Sequence, residues 1–146
     1  MIKIKLKKIK ESINLPHYAT EGSGAVDLCA SIESKLTLKP NDVKLIGTGI
    51  CIHIEDINYA GLILPRSGIG HKKGIVLGNL VGLIDSDYQG EIKISCWNRS
   101  KNEYTVLPGE RIAQMIIMEV KKVKFDIVDS FKLTERNSQG FGHSGK

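Results

Sequence analysis

The chain has 146 residues, 41% of them hydrophobic and 25% charged, with a formal net charge of +5. That size and balance predict one globular domain with its own core, and no apolar run has the length or flanks of a membrane span or a secretory leader. Cys29, Cys51 and Cys96 are odd in number and widely spaced, which argues against a disulfide framework or a zinc site and for a reducing, cytoplasmic setting.

At the N-terminus, Lys3, Lys5 and Lys7 alternate with Ile2, Ile4 and Leu6, the period of a half-buried strand with a solvated lysine face. Aromatic residues make up only 5% and do not interleave with the basic ones. No stacking platform for a nucleic-acid strand is therefore expected, while a basic surface suits small anions. Next, Gly22 to Leu28 places one carboxylate, Asp27, behind a run of small residues. Short strands are then predicted over Lys35–Leu38, Val43–Ile46, Ile50–Ile54 and Ala60–Leu64, separated by turn residues such as Pro40-Asn41-Asp42.

Pro65 to Lys73 interrupts the strands with Arg66, Ser67, Gly68 and Gly70. A guanidinium, a hydroxyl and open backbone N–H groups at that spacing can hold one anion, and a short helical turn is predicted from Ser67 to Lys73. Strands at Ile75–Leu77 and Leu80–Ile84 follow. Gly78 to Glu91 reads as a hairpin whose turn carries Asp85, Asp87 and Tyr88, with Asn79 at its start. Backbone and Asn79 in such a hairpin can read a flat heterocycle, and an Asp at its end can serve as general base to a water. Further strands are expected at Glu91–Trp97, Tyr104–Leu107, Ile112–Val120 and Val123–Val128, although Arg111–Val120, rich in Ile, is also the one candidate for a helix. Gln114 lies in an apolar run and must find a partner or cost about 1–3 kcal/mol. Only four of the 21 basic residues are arginine, and Arg66, Arg111 and Arg136 all sit beside glycine-containing motifs, as if a planar fork were needed there.

The pattern predicts an all-β body over residues 1–133 and a loose arm over 134–146. The arm holds Arg136, Gly140, Phe141, Gly142, His143, Ser144 and Lys146: too little apolar surface to order itself, but a ring, glycine backbone and positive charge that suit a nucleotide. Gly140 to Lys146 also fits half of a P-loop, yet lacks the Ser/Thr and helix that motif requires.

Five segments in this order resemble the motifs of the trimeric dUTPases. They are Ala25-Val26-Asp27-Leu28, Pro65-Arg66-Ser67-Gly68, Gly82 to Gly90, Gly109-Glu110-Arg111-Ile112-Ala113-Gln114, and Arg136 to Gly145. The resemblance implies a jelly-roll-like β-barrel with a flexible C-terminal arm, assembled as a homotrimer with active sites shared between subunits. It implies hydrolysis of dUTP to dUMP and pyrophosphate with Mg²⁺, which clears dUTP from the polymerase pool and supplies dUMP for thymidylate synthesis. By the same resemblance, Asp85 activates the water that attacks the α-phosphorus, and Tyr88 packs on deoxyribose. Asn79, Leu83, Ile84 and the strand starting near Lys93 bind uracil and sugar. Arg66, Ser67 and Gly68 hold the phosphates, Gln114 assists through water, and Asp27 meets Mg²⁺ through its coordinated waters. In the arm, Arg136 and Ser144 reach phosphate with His143 helping at that end, Phe141 stacks on uracil, and Gly142 also binds substrate. The arm departs from the family's Arg-Gly-x-Gly-Gly-Phe-Gly in having Asn137 and Gln139 at the first two glycine positions.

Overall fold

The computed structural model describes residues 2–140. In chain order its elements are β1 (Lys5–Lys8), β2 (Val26–Cys29), β3 (Leu36–Leu38), β4 (Val43–His53), β5 (Tyr59–Leu64), α1 (Ser67–Lys73), β6 (Ile75–Leu77), β7 (Gly82–Ile84), β8 (Glu91–Asn98), β9 (Tyr104–Val106) and β10 (Arg111–Glu119). Two antiparallel sheets, ordered β1-β4-β8-β6 and β2-β10-β5-β7, are joined by a β3-β9 ribbon. From β4 to β8 the chain changes sheet at every step, which gives the all-β, jelly-roll arrangement.

Alternation along each strand builds the core between the sheets. On β8, Ile92, Ile94, Cys96 and Asn98 are buried while Lys93 is exposed. Ile46 and Ile50 on β4, and Leu28, Ile63 and Ile112 in the facing sheet, join the same cluster, each contributing about 1.5–3 kcal/mol on burial. Asn98, a fully buried polar residue, is satisfied: its amide donates to the carbonyls of Leu38 at 2.9 Å and Asn102 at 2.8 Å, and its carbonyl accepts from Ser100.

Several elements differ from the sequence expectation, and β2 (Val26–Cys29) forms where the sequence predicts no strand. The strands expected at Val43–Ile46 and Ile50–Ile54 form one long strand, β4, ending at His53, because the glycines between them make a bulge. Gly49 has φ +74°, the register against β8 shifts between Gly47 and Cys51, and Glu91 Oε1 accepts from the Gly49 N–H at 3.0 Å. β1 is exposed along its length, since it pairs outside β4 at a sheet edge. Its lysines suit such an edge, which an apolar strand would leave open to other chains. Finally, Val123–Val128 is not a strand. That segment has no ladder partner among the described residues, and Val123, Phe125, Ile127, Phe131 and Leu133 stand in solvent.

Candidate functional site

The first half of the site is a row across three neighbouring strands. On β10, Gln114 lies opposite Asp27 of β2 on one side and Leu64 of β5 on the other. The chain leaving β5 therefore delivers Pro65, Arg66 and Ser67 to the end of that row, and α1 starts there with Arg66 as its extended N-cap residue. Arg66 Nε donates to Asp27 Oδ1 at 2.6 Å, and Arg111 Nη1 donates to Asp27 Oδ2 at 3.0 Å. Asp27 is only 9% exposed, and a buried carboxylate is tolerated when cations and hydrogen bonds occupy it in this way. Gln114 finds its partner too, donating from Nε2 to the Pro65 carbonyl at 3.0 Å, which leaves its side-chain oxygen as an acceptor.

Asp27, Arg66 and Gln114 line an open cleft of about 450 Å³, with Ser23, Gly24 and Ala25 in its other wall. Ser67 and Gly68 form its rim at the first turn of α1, where backbone N–H groups have no acceptor within the helix. A Cβ at Gly68 would meet no atom within 4 Å, so nothing within the described chain demands glycine there.

The second half lies at the other edge of the same sheet. β6 pairs with β8, and Gly78 N–H continues that ladder to the Ser95 carbonyl at 2.7 Å. Residues 78–90 are thus an excursion from one sheet: the chain crosses to pair as β7 with β5, then returns. Backbone bonds set its shape. Leu80 takes φ +63°, Tyr88 N–H donates to the Asp85 carbonyl at 3.2 Å, and Glu55 N–H donates to the Ser86 carbonyl at 3.0 Å. Tyr88 Oη donates to the Glu91 carbonyl at 2.9 Å, and its ring covers Gly90, where a Cβ would come within 2.5 Å of that hydroxyl. Asp85 is exposed. With Leu83, Ser86 and Asp87 it borders a second cleft of about 540 Å³ that also involves Tyr59, Lys121 and Lys122. Ile84 is half-buried on β7, whereas Asn79 and Lys93 are exposed and outside the walls of that cleft.

β2 and β7 are the two outer strands of one sheet, three interstrand spacings or about 14 Å apart. One chain therefore gathers Asp27, Arg66, Ser67, Gly68 and Gln114 in one cleft, and Leu83 with Asp85 in another. In the arm, Arg136 Nε donates to the Gln139 carbonyl at 3.0 Å. Asn137 has φ +45°, and its side chain accepts from Thr134 N–H at 3.0 Å. Asparagine tolerates that left-handed backbone where the family motif has glycine. Phe141, Gly142, His143 and Ser144 lie outside the described residues.

The sequence marks Arg111 as a site residue only through its sparing use of arginine. Cys29, Cys51 and Cys96 are free and buried. Burial pushes the Cys96 thiol up to about 12, so it is an inert core group. Among the described residues there is no group of three or more His, Cys, Asp or Glu placed to hold a metal. A single carboxylate does fit Mg²⁺, which keeps most of its water and draws other ligands from substrate phosphates. No helix among the described residues is long and apolar enough to cross a membrane.

A family model described as dUTPase matches residues 11–145. The deoxyuridine 5'-triphosphate nucleotidohydrolase of Idiomarina loihiensis is 57% identical over 99% of this chain and 96% of its own length. The enzyme of the same name from Alcanivorax borkumensis is 57% identical over 95% of this chain and 93% of its own. Among solved structures, a G164S mutant of the dUTPase of Staphylococcus bacteriophage 80alpha with dUpNHpp superposes with a TM-score of 0.88 over the whole of both chains at 23% identity, which supports the fold.

Proposed function

This chain belongs to the dUTPase family, and from that premise we propose that it hydrolyses dUTP to dUMP and pyrophosphate with Asp85 as general base. The proton of an attacking water passes to the Asp85 carboxylate, the water oxygen bonds to the α-phosphorus, and the bond from that phosphorus to the α,β-bridging oxygen breaks to release pyrophosphate. The observation that carries the reading is the cleft at Arg66, where a guanidinium fixed at its Nε end by Asp27 still has donors to spare beside Ser67 and Gly68. Those groups hold the triphosphate in line for attack. Gln114, tied to Pro65 by its amide, accepts from a water at the same cleft. Asp27 would hold Mg²⁺ through coordinated water, and the ion would supply charge neutralisation on the triphosphate.

Leu83, Ile84 and Asn79 present backbone and side-chain edges to uracil, Lys93 flanks them, and Tyr88 supports deoxyribose, leaving no space for a 2′-hydroxyl. Arg136, Phe141, Gly142, His143 and Ser144 belong to an arm, residues 134–146, that closes on a site made mainly by other subunits. The barrel occupies 1–133. Two features support a homotrimer with shared sites: the two clefts on opposite sheet edges, and the exposed apolar segment from Val123 to Leu133. Three buried free thiols accord with work in the cytoplasm, where the enzyme would clear dUTP from the polymerase pool and supply dUMP for thymidylate synthesis.

The test is pyrophosphate release from dUTP, dTTP, dCTP and UTP, each with and without Mg²⁺. Release confined to dUTP and stimulated by Mg²⁺ is expected. Equal turnover of all four, or ammonia released from dCTP with dUTP untouched, would sink the assignment.

A further inference from the structure

We propose that Arg111 is a positioning residue for triphosphate binding, acting on Arg66 from two directions. One is the side chain: Arg111 Nη1 occupies Asp27 Oδ2 at 3.0 Å while Arg66 Nε occupies Oδ1 at 2.6 Å. The other is the main chain: the Arg111 carbonyl accepts from Arg66 Nη1 at 3.4 Å. This inference rests on the reading of Arg66 as the phosphate-holding guanidinium.

A register shift on β10 aims the residue. Arg111 lies opposite Cys29 and Ala113 opposite Leu28, so one extra residue is inserted on β10, a bulge of the kind that re-aims a side chain. The preceding turn fixes its position. Gly109 N–H donates to the Ala30 carbonyl at 2.8 Å, and Ala30 N–H donates to the Glu110 carbonyl at 2.8 Å. The Glu110 carboxylate accepts from Leu107 N–H at 2.9 Å and from the Tyr104 hydroxyl.

Charge explains why two arginines are needed. Asp27 is nearly buried, and a carboxylate with one oxygen uncompensated would draw Arg66 into a bidentate fork, turning its outer nitrogens inward. With Oδ2 taken by Arg111, Arg66 binds end-on through Nε, leaving Nη2 and part of Nη1 for an anion. Arg111 itself does not line the cleft that Asp27, Arg66, Ser67 and Gly68 share, so it acts through its neighbours.

The experiment compares equilibrium binding of dUpNHpp and dUMP to the full-length protein by calorimetry, for the parent, Arg111→Gln, Arg111→Lys, Arg66→Gln, Asp27→Asn and the Asp27→Asn/Arg111→Gln pair. Arg111→Gln is expected to weaken dUpNHpp about tenfold and dUMP less than about twofold, because the β- and γ-phosphates depend most on Arg66. The paired variant should bind dUpNHpp no more weakly than Asp27→Asn alone, since the two residues act as a unit. Arg111→Lys, which keeps the charge without the fork, should recover only part of the loss. Equal weakening of both ligands, or additive losses in the pair, would overturn the positioning role while leaving Arg66 as a phosphate binder. Unchanged dUpNHpp affinity in Arg66→Gln would instead overturn the phosphate reading, and this inference with it. If Arg111→Gln does not fold, Arg111→Lys carries the same comparison.

Discussion

At Asp27 two guanidiniums converge on a carboxylate that is 9% exposed, while at Asp85 the carboxylate stands in solvent and the shape around it is set by backbone bonds from Glu55 and Tyr88. The first region fixes charge before any ligand arrives, so an anion can be received with little rearrangement. The second fixes a contour: a narrow excursion with Leu80 in a left-handed conformation and Tyr88 lying on Gly90. A charged cleft tolerates being open to water, whereas a contour that discriminates one base from another must be enclosed. In the reading proposed above, the arm and neighbouring copies would enclose it.

The sharpest break between the regions is chemical. Asp85→Asn is expected to lower kcat about a thousandfold while leaving dUpNHpp affinity nearly unchanged, as stopped-flow turnover and calorimetry would show. Full turnover in that variant would remove the proposed base. Deleting residues 134–146 should cost about a hundredfold in turnover by admitting solvent to the site. Sedimentation should show the same assembly as the parent, and a dissociated or unfolded product would mean the arm is part of the body. Gly90→Ala probes the contour alone, because the added methyl meets Tyr88 Oη at 2.5 Å. Discrimination of dUTP over UTP should fall about tenfold with dUpNHpp phosphate contacts intact, and unchanged discrimination would argue against Tyr88 as the sugar gate.

The smallest effect concerns the core behind both regions. Burial raises the Cys96 thiol from 9 to about 12, and burial together with the bond to Glu110 raises the Tyr104 hydroxyl above its ordinary 10. Both hold their protons more firmly in the fold than in the unfolded chain. Their contribution is therefore complete below about pH 9 and is lost as pH rises through the folded values. Thermal melts between about pH 8 and about pH 11 should decline steadily, and less steeply in Cys96→Ala. Parallel declines would assign the loss elsewhere.

Much of this was legible in the chain. Short apolar runs bounded by turn residues locate β5, β6, β8 and β10, and the Ser after Pro65-Arg66 locates α1, because those signals are local. In the sequence the two-sheet excursion around β7 looks like a plain hairpin, since β6 and β8 pair in one sheet while β7 pairs in the other, a long-range fact with no local mark. The glycines of β4 looked like a break because a bulge and a turn ask for the same residue. Arg111 could be read as part of a motif, but its grip on Asp27 joins positions 84 residues apart, and only the folded register brings them together.

Chain order adds something about the exposed segment from Val123 to Leu133. Synthesis proceeds from the N-terminus, so every strand of both sheets leaves the ribosome before Phe125 and Ile127 do. The body can close first and the adhesive stretch emerges afterwards, on a surface already formed. If the proposed trimer covers Phe125, Ile127 and Phe131, the time they spend uncovered depends on how many finished copies are nearby, and expression level then sets the window for aggregation.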